Sequence, residues 1–315
     1  MLNLLFACFF LIFKKWKTVF IYATVFFICW SAISTYFPIH FRTEKVPEGS
    51  IKLLTYNVMY FNGFKKNRNG VVNPILDYIK NSKADIVCIQ EYGYTTDNVH
   101  LSKRDILNAL KDLPYYHFDR FSAPTNNAYG IAIFSKYPFS KVEKLHYSSE
   151  NNGSIMVDLD INGKRLTLIN NHLESNNLSP EDRTGFYDLT RNLNSEKLEN
   201  FTHLMHHRLT PAFKTRAKQA EVISEVISKS ENPYIVVCGD FNDTPVSYVH
   251  HKISENLCDA FVETGFGPGI TYNRHRFLFR IDHILHSKNI KAYNCTVGKI
   301  KTSDHYPVSC ILKLD

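Results

Sequence analysis

The chain has 315 residues and a formal net charge of +7, with 44% hydrophobic and 21% charged residues. Residues 1–50 carry five basic and two acidic side chains, which leaves +4 for the rest. That mild surplus suits an anionic substrate and excludes the basic stripe of a dedicated nucleic-acid binder. The seven cysteines follow neither metal-ligand spacing nor the density of a disulfide scaffold, so they read as small buried hydrophobes. Cys88, Cys238 and Cys310 sit in apolar, strand-like runs; Cys258 and Cys295 lie in less obviously buried places.

The first element is an apolar run from Leu2 to Phe13, too short to span a bilayer comfortably. It serves as half of a hairpin, as an interfacial segment, or as part of a longer helix that starts upstream. A basic cluster follows, Lys14, Lys15 and Lys17, and then Thr18–Phe37 runs about twenty residues without a charge. At ~1.5 Å rise per residue that length matches a ~30 Å hydrocarbon core. A signal peptide would carry a shorter apolar stretch and a small-residue cleavage site. Under the positive-inside rule the lysines stay in the cytoplasm, so the chain beyond Phe37 emerges on the other side of the cell (inner) membrane. The expected division is an anchor over 1–40, a tether over 41–51 and a catalytic domain over 52–315.

Strand-like runs then recur at Ile51–Tyr60, Asp85–Gln90, Gly130–Ser135, Ile155–Ile161, Arg165–Leu173, Tyr234–Cys238, Ile281–Leu285 and Tyr306–Leu314. Helical spacing appears at Val72–Asn81, through Ile75, Leu76 and Ile79. It appears again at Phe213–Ser230, through Ala217, Ala220, Ile223, Val226 and Ile227. Ser179-Pro180-Glu181-Asp182 has the makings of a helix start. Residues 176–209 are polar and free of chemistry-bearing motifs, and read as an insertion near the rim of the site or as a surface helical hairpin. There is no internal linker, low-complexity run or repeat. Strands and helices mixed without strict alternation predict one α+β domain, two packed sheets with helices outside.

The chemistry-bearing residues stand where hydrophobic runs end. They are Thr55-Tyr56-Asn57, Gln90-Glu91, Asn170-Asn171-His172-Leu173, Gly239-Asp240-Phe241-Asn242-Asp243, Arg280-Ile281-Asp282-His283 and Ser303-Asp304-His305-Tyr306-Pro307. Strands that end together aim such groups into one cleft. Any one of these is an ordinary turn or edge; six in series, all oxygen or imidazole, are a site. His203, His206 and His207 lack a matching cysteine or carboxylate for zinc, and His250-His251 reads as surface. Neither a Gly-x-Ser-x-Gly elbow nor a phosphate-cradling Gly-x-x-x-x-Gly-Lys loop is present.

The motifs TYNV, QE, NHL, GDFND, RIDHIL and SDHYPV, in that order over Lys52–Asp315, resemble the endonuclease/exonuclease/phosphatase superfamily. Arg216 and Gln219 in TRAKQA are similar to the family's Arg-x-x-Gln helix. The resemblance implies a DNase I-like fold, a four-layer α/β-sandwich of two packed mixed β-sheets flanked by helices. It also implies a metal-dependent phosphoric ester hydrolase acting on a phosphodiester or phosphomonoester. Glu91, helped by Asn57, offers the hard oxygen ligands that Mg²⁺ or Mn²⁺ prefers, and the resemblance implies that Asp304 completes the metal side. Asp240 orients or deprotonates the attacking water, and Asn242 binds a phosphoryl oxygen or steadies the metal shell. His305 pairs with Asp282, which fixes its tautomer and favours its charged form. By the resemblance, His172 stabilises a non-bridging oxygen or assists the leaving group. Three functions remain open: a phosphoesterase acting on a lipid headgroup, nucleotide or nucleic acid; a nonspecific nuclease; and an inactive, membrane-tethered binding module. A monomeric catalytic domain, tied to the lipid bilayer by its N-terminal segment, is expected.

Overall fold

Strand β1 (Ile51–Asn57) is buried on both faces along nearly its whole length, so it needs cover on both sides. In a computed structural model of the chain that cover comes from a second sheet on one face and helices on the other. The structure describes every residue except Met1, Arg42, 66–72, Asn98, 122–126, Ser148, Glu150, 177–194 and 275–276. Three helices precede β1: α1 (Leu2–Ile12), α2 (Trp16–Ile28) and α3 (Trp30–Tyr36). After it come α4 (Met59–Phe64), α5 (Pro74–Ser82), β2 (Ile86–Thr95), α6 (Lys103–Ala109), β3 (Tyr115–Arg120), β4 (Asn127–Ser135), β5 (Phe139–Lys144), β6 (Gly153–Ile161) and β7 (Lys164–His172). The long helix α7 (Ser195–Ser228) leads to β8 (Tyr234–Asp240), α8 (Tyr248–Ser254), β9 (Leu257–Asp259) and α9 (Ala260–Thr264). A small hairpin, β10 (Tyr272–Arg274) and β11 (Phe277–Phe279), precedes β12 (Asp282–Ser287), β13 (Ile290–Val297) and β14 (Val308–Leu314).

One sheet runs β13-β14-β1-β2-β4-β3 and the other β5-β6-β7-β8-β12-β9. Each is antiparallel except for one central parallel pair, β1 with β2 and β7 with β8. Leu53, Ile86, Cys88 and Ile133 of the first sheet pack against Val157, Leu168, Val236 and Cys238 of the second. On the outer face of the first sheet, Leu54, Val87 and Phe134 meet Ile75, Ile79 and Ile106 from α5 and α6. On the outer face of the second, Ile169, Val237 and Leu285 meet Ala220 and Ile223 of α7 and Val249 and Ile253 of α8. The result is the helix–sheet–sheet–helix order expected from the sequence. All seven cysteines are free; Cys295 is buried, contrary to its sequence reading, because β13 turns it into the space between the sheets.

Several boundaries differ from the sequence reading. The first strand stops at Asn57, because Met59–Phe64 takes up positive φ throughout, with the Met59 amide tied back to Asn57 Oδ1 at 3.2 Å. Strand β2 runs on to Thr95, because Tyr92 and Tyr94 pack on Phe118. The insertion is no separate hairpin over its described part: residues 195–209 are the first turns of α7, which continues through Pro211. The serine-capped start at 179–182 lies outside the described residues.

The apolar N-terminus is a helical hairpin, with Tyr22 of α2 stacked between Phe6 and Phe10 of α1. No single helix among the described residues is long and apolar enough to cross a membrane. Helices α2 and α3 qualify together by length and composition, but they meet at an angle of 56°. The end of α3 and the chain after it are bound to the domain: the Arg280 guanidinium donates to Thr35 O, and Gly267 N donates to Pro38 O at 2.9 Å.

Candidate active site

Strand register builds the centre of the site. Asp240 ends β8, opposite His172 at the end of parallel β7 and opposite Asp282 at the start of antiparallel β12. Three chemistry-bearing residues therefore stand side by side at one edge of the second sheet. The first sheet contributes Asn57 from the end of β1 and Glu91 from inside β2. Glu91 sits in a register shift between Ile89 and Tyr92, with φ of 48°. A bulge of this kind re-aims a side chain at a cost in backbone strain. Gly239 has φ of 123°, and a Cβ there would lie 2.1 Å from Asn171 O, so only glycine fits between β7 and β8.

Asp240 is the hub. Its Oδ2 accepts from Asn57 Nδ2 at 3.1 Å, and it lies 3.6 Å from His305 Nε2 and 3.8 Å from His172 Nε2. Its Oδ1 accepts from the Asn242 amide at 2.8 Å. His305 Nδ1 is 2.8 Å from Asp282 Oδ2, and all three residues are buried. Burial opposes charge on His305, but Asp282, Asp240 and Asp304 overcome it and lift its pKa to about 10. For His172 burial wins over the attraction of Asp240, and the imidazole is pushed below its ordinary value. Burial likewise raises Asp240, with His305 opposing it. Two buried imidazoles that face the same Asp240 oxygen are thus held in different charge states.

Glu91 Oε1 accepts from Asn57 Nδ2 at 3.2 Å and lies 3.9 Å from His172 Nε2. Burial and then the neighbouring charge of Asp304 raise its pKa to about 7, against the Asn57 hydrogen bond. Carboxylates crowded with too little positive charge fit a hard divalent cation, which would relieve that repulsion. Glu91 and Asp304 are the carboxylates facing that position. Asn57 turns its amide nitrogen toward both Glu91 and Asp240 while its oxygen accepts from Met59 N, so in this arrangement it orients the carboxylates. The ligating atoms of Asp240, Asp282 and His305 also lie within 4.8 Å of one another, but the His305–Asp282 hydrogen bond accounts for that grouping.

These groups open into a cleft of about 540 Å³, lined by Glu91, His172, Asp240, Asn242, Asp304 and His305, with Met205, Leu209, Phe213, Phe279 and Ile281 forming an apolar wall. All eight sequence-predicted residues gather here, Asn57 and Asp282 as hydrogen-bond partners just behind the lining. Their motif neighbours are structural. Gln90 donates to Asn170 Oδ1 at 2.6 Å between the sheets, and Asn171 donates to Cys238 O at 3.1 Å. Arg216 and Gln219 hold the rim: Arg216 donates to Glu174 O at 2.7 Å and to Asp243 at 3.3 Å, while Gln219 Oε1 accepts from Glu174 N at 2.9 Å. Their signal is two polar residues on the helix face that also carries Ala220 and Ile223.

The sequence reading missed Tyr272, whose ring packs edge-on against His305 at 5.1 Å, and Thr271, whose hydroxyl accepts from Ile281 N and Asp282 N. Neither carries a spacing signal. His203, His206 and His207 are exposed on α7 and belong to no cluster of metal-ligating groups among the described residues. His250 is a correction. It is buried, with Nε2 3.0 Å from Asp259 Oδ2, because α8 turns it inward beside Val249 and Ile253, while His251 faces out.

Comparison with known proteins agrees with this geometry. The Escherichia coli (strain K12) protein YbhP is 24% identical over 285 residues, covering 86% of this chain and 99% of its own. Among solved structures, an endonuclease/exonuclease/phosphatase from Beutenbergia cavernae superposes with a TM-score of 0.59 at 16% identity, over 84% of this chain and 72% of that one. Humanized D. rerio TDP2 superposes with a TM-score of 0.55 at 14% identity, over 84% and 100%. Such likenesses bear on the fold. The profile of the Endonuclease/Exonuclease/phosphatase family, whose members are generally divalent-metal-dependent phosphoester hydrolases, matches residues 54–305. With most of the chain matched and the site assembled, this protein belongs to the endonuclease/exonuclease/phosphatase family.

Proposed function

We propose that this protein is a membrane-tethered hydrolase that uses Mg²⁺ or Mn²⁺ to cleave a phosphodiester or phosphomonoester by attack of water. The observation that carries the reading is the hub at Asp240, with Asn57, His172 and His305 within 3.8 Å of one carboxylate oxygen and Glu91 alongside. Glu91 and Asp304 would hold the cation, with Asn57 steadying Glu91. When bound, such an ion would supply positive charge against the phosphate and make a nearby water easier to deprotonate. Asp240, its Oδ1 fixed by the Asn242 amide, is oriented to accept the proton of the attacking water. His305 remains an imidazolium at neutral pH and offers Nε2–H to the charge that grows on the phosphoryl oxygens. His172, neutral, can donate a hydrogen bond to a non-bridging or leaving-group oxygen. Asn242 lines the same cleft and serves a phosphoryl oxygen.

The cleft favours one substrate class. Its far wall is apolar and, among the described residues, carries no lysine or arginine; Arg274 approaches the cleft on the side of Asp304, with Nε 3.8 Å from that carboxylate. A polyanion would want cations on that wall; an ester with an apolar group beside its phosphate, as in a phospholipid headgroup, suits the wall. We further propose that the N-terminal helices lie in the lipid bilayer and carry the domain on the non-cytoplasmic side. The test compares phospholipid in mixed micelles with supercoiled plasmid, using full-length protein in detergent. Metal-dependent cleavage of phospholipid, abolished by chelator and by Glu91→Gln, is the expected result. Faster nicking of plasmid would favour the nuclease instead, and no hydrolysis with either ion would leave the inactive binding module.

A further inference from the structure

The side of β12 that does not serve the cleft carries a second cluster. His250 of α8, Asp259 at the end of β9 and His283 of β12 converge in the interior, with exposures of 5%, 9% and 2%. His250 Nε2 lies 3.0 Å from Asp259 Oδ2, and His283 Nδ1 lies 4.0 Å from the same oxygen. The two imidazole rings meet edge to face, with centroids 4.7 Å apart. All three ligating atoms fall within 4.8 Å of one another.

The proton positions on His283 follow from its partners. Nε2 is 3.0 Å from Asp243 O, and a carbonyl only accepts, so Nε2 carries the hydrogen. Burial first, then the neighbouring His250, disfavour the charged form of the ring. Nδ1 therefore presents a bare lone pair toward Asp259, and it is buried without a hydrogen-bond partner. Two lone-pair acceptors facing each other are an unfavourable arrangement for a plain hydrogen-bonded cluster. They are the arrangement a cation needs.

We infer that His250, Asp259 and His283 form a structural site for a zinc-class divalent cation, separate from the catalytic centre. Two imidazole nitrogens and one carboxylate oxygen are the donor set that zinc takes in preference to magnesium. The surroundings of the three donors fit. His283 donates its remote N–H to a backbone carbonyl, which fixes tautomer and ring orientation as metal-ligating histidines require. Asp259 Oδ1 accepts from Phe261 N at 2.8 Å and Val262 N at 3.1 Å, so Oδ2, now 3.0 Å from His250 Nε2, is the oxygen the ion would share with that nitrogen. A cavity of about 610 Å³ between α3 and the domain touches His250 and Asp259, which leaves room beside the donors for a further ligand. Arg280, the cation facing Asp259, is turned to Thr35 O and lies over the Phe261 ring. The ion would fasten α8, β9 and β12 together and, through His283, brace the Asp243 loop at the rim of the cleft.

The test uses full-length Glu91→Gln protein in detergent, so that the catalytic metal position is disabled. After chelator treatment and dialysis against zinc, metal content and melting temperature are measured, and Co²⁺ replaces zinc for its visible ligand-field absorption. The expected result is about one equivalent of tightly held metal, Co²⁺ bands typical of low coordination number, and a metal-dependent rise in melting temperature. All three should be lost with His283→Phe, which keeps an aromatic ring in place, and with His250→Ala. Metal-free melting of each variant against metal-free parent verifies the fold. Failure of the parent to retain zinc or cobalt, or full retention by a folded His283→Phe variant, would overturn the assignment.

Discussion

At the scale of single residues, the site works by giving chemically similar groups different charge states. His305 and Asp282 should act as one unit. Acid–base or charge-stabilising groups contribute roughly 10²–10⁴-fold, so His305→Ala should lose at least that in kcat. Asp282→Asn removes both the orienting charge and the tautomer control, and the double variant should be little worse than His305→Ala. Losses that multiply, or that track unfolding in parallel melts, would break the pairing. Glu91 yields a prediction of opposite character. Its folded pKa of about 7 lies above the ordinary glutamate value of about 4.5, so over that interval the folded state binds more protons than the unfolded one. Metal-free stability contributed by Glu91 is therefore present at low pH and lost as pH rises from about 4.5 through 7. In chelator above about pH 7, Glu91→Gln should melt no lower than wild type, while added Mg²⁺ or Mn²⁺ should raise only the wild-type melting temperature. A metal-free Glu91→Gln protein that melts well below wild type would contradict it. The carboxylates and imidazoles of the site are legible because each stands in or beside a short motif at the margin of a hydrophobic run. Tyr272 and Thr271 were not, since a ring packed on a neighbour and a hydroxyl accepting two amides leave no periodic trace.

At the scale of elements, the strands absent from the sequence reading are informative as a set. Apart from the small β10–β11 hairpin, they are β3, β5, β9 and β13, and these are the four outer strands of the two six-stranded sheets. An edge strand is half covered and often charged, as in Phe139–Lys144, so it lacks the apolar run that marks a central strand. Helix α7 is legible in sequence only from Phe213 on, because Ala217, Ala220, Ile223, Val226 and Ile227 carry the helical spacing and the polar residues before them do not. In the structure α7 passes through Pro211 and delivers Met205, Leu209 and Phe213 to the cleft. The same helix carries Arg216, fully buried and bridging the loops after β7 and β8. Arg216→Met should cost roughly 3 kcal/mol, since it strands Asp243 and the Glu174 carbonyl. It should also lower kcat by on the order of 10²-fold through displacement of Asn242, even though Arg216 does not line the cleft. Urea melts and turnover at a temperature where the variant is folded measure both; unchanged kcat in a destabilised variant would show that Arg216 only supports the fold.

At the scale of the whole molecule, the N-terminal helices and the domain obey opposite rules. No residue of α1, α2 or α3 is buried, although the segments are apolar and rich in aromatics, whereas the domain hides its apolar residues in three clusters. On the reading proposed above, these uncovered apolar helices lie in a bilayer. The bend between α2 and α3 leaves two ways for a bilayer to take them up: α2 and α3 crossing together as a kinked span, or α1 and α2 lying as a hairpin in one leaflet. Lys14, Lys15 and Lys17 stand at the turn between α1 and α2, and in either case the positive-inside rule holds that turn at the cytoplasmic face. A crossing pair then carries Pro38 and everything after it to the far side, and a hairpin in the cytoplasmic leaflet keeps the domain inside. The kinked span is the expected arrangement, because the Arg280–Thr35 and Gly267–Pro38 contacts hold the domain directly against the end of α3. A variant with all seven native cysteines replaced and one new cysteine at Ser140, on exposed strand β5, permits a direct measurement. In intact cells an impermeant maleimide should label that cysteine fully. Labelling only after lysis would put the domain in the cytoplasm and make α1 and α2 a hairpin anchor. Reversing the charge of the three lysines should then invert the labelling pattern if they set the orientation, and leave it unchanged if the domain alone does.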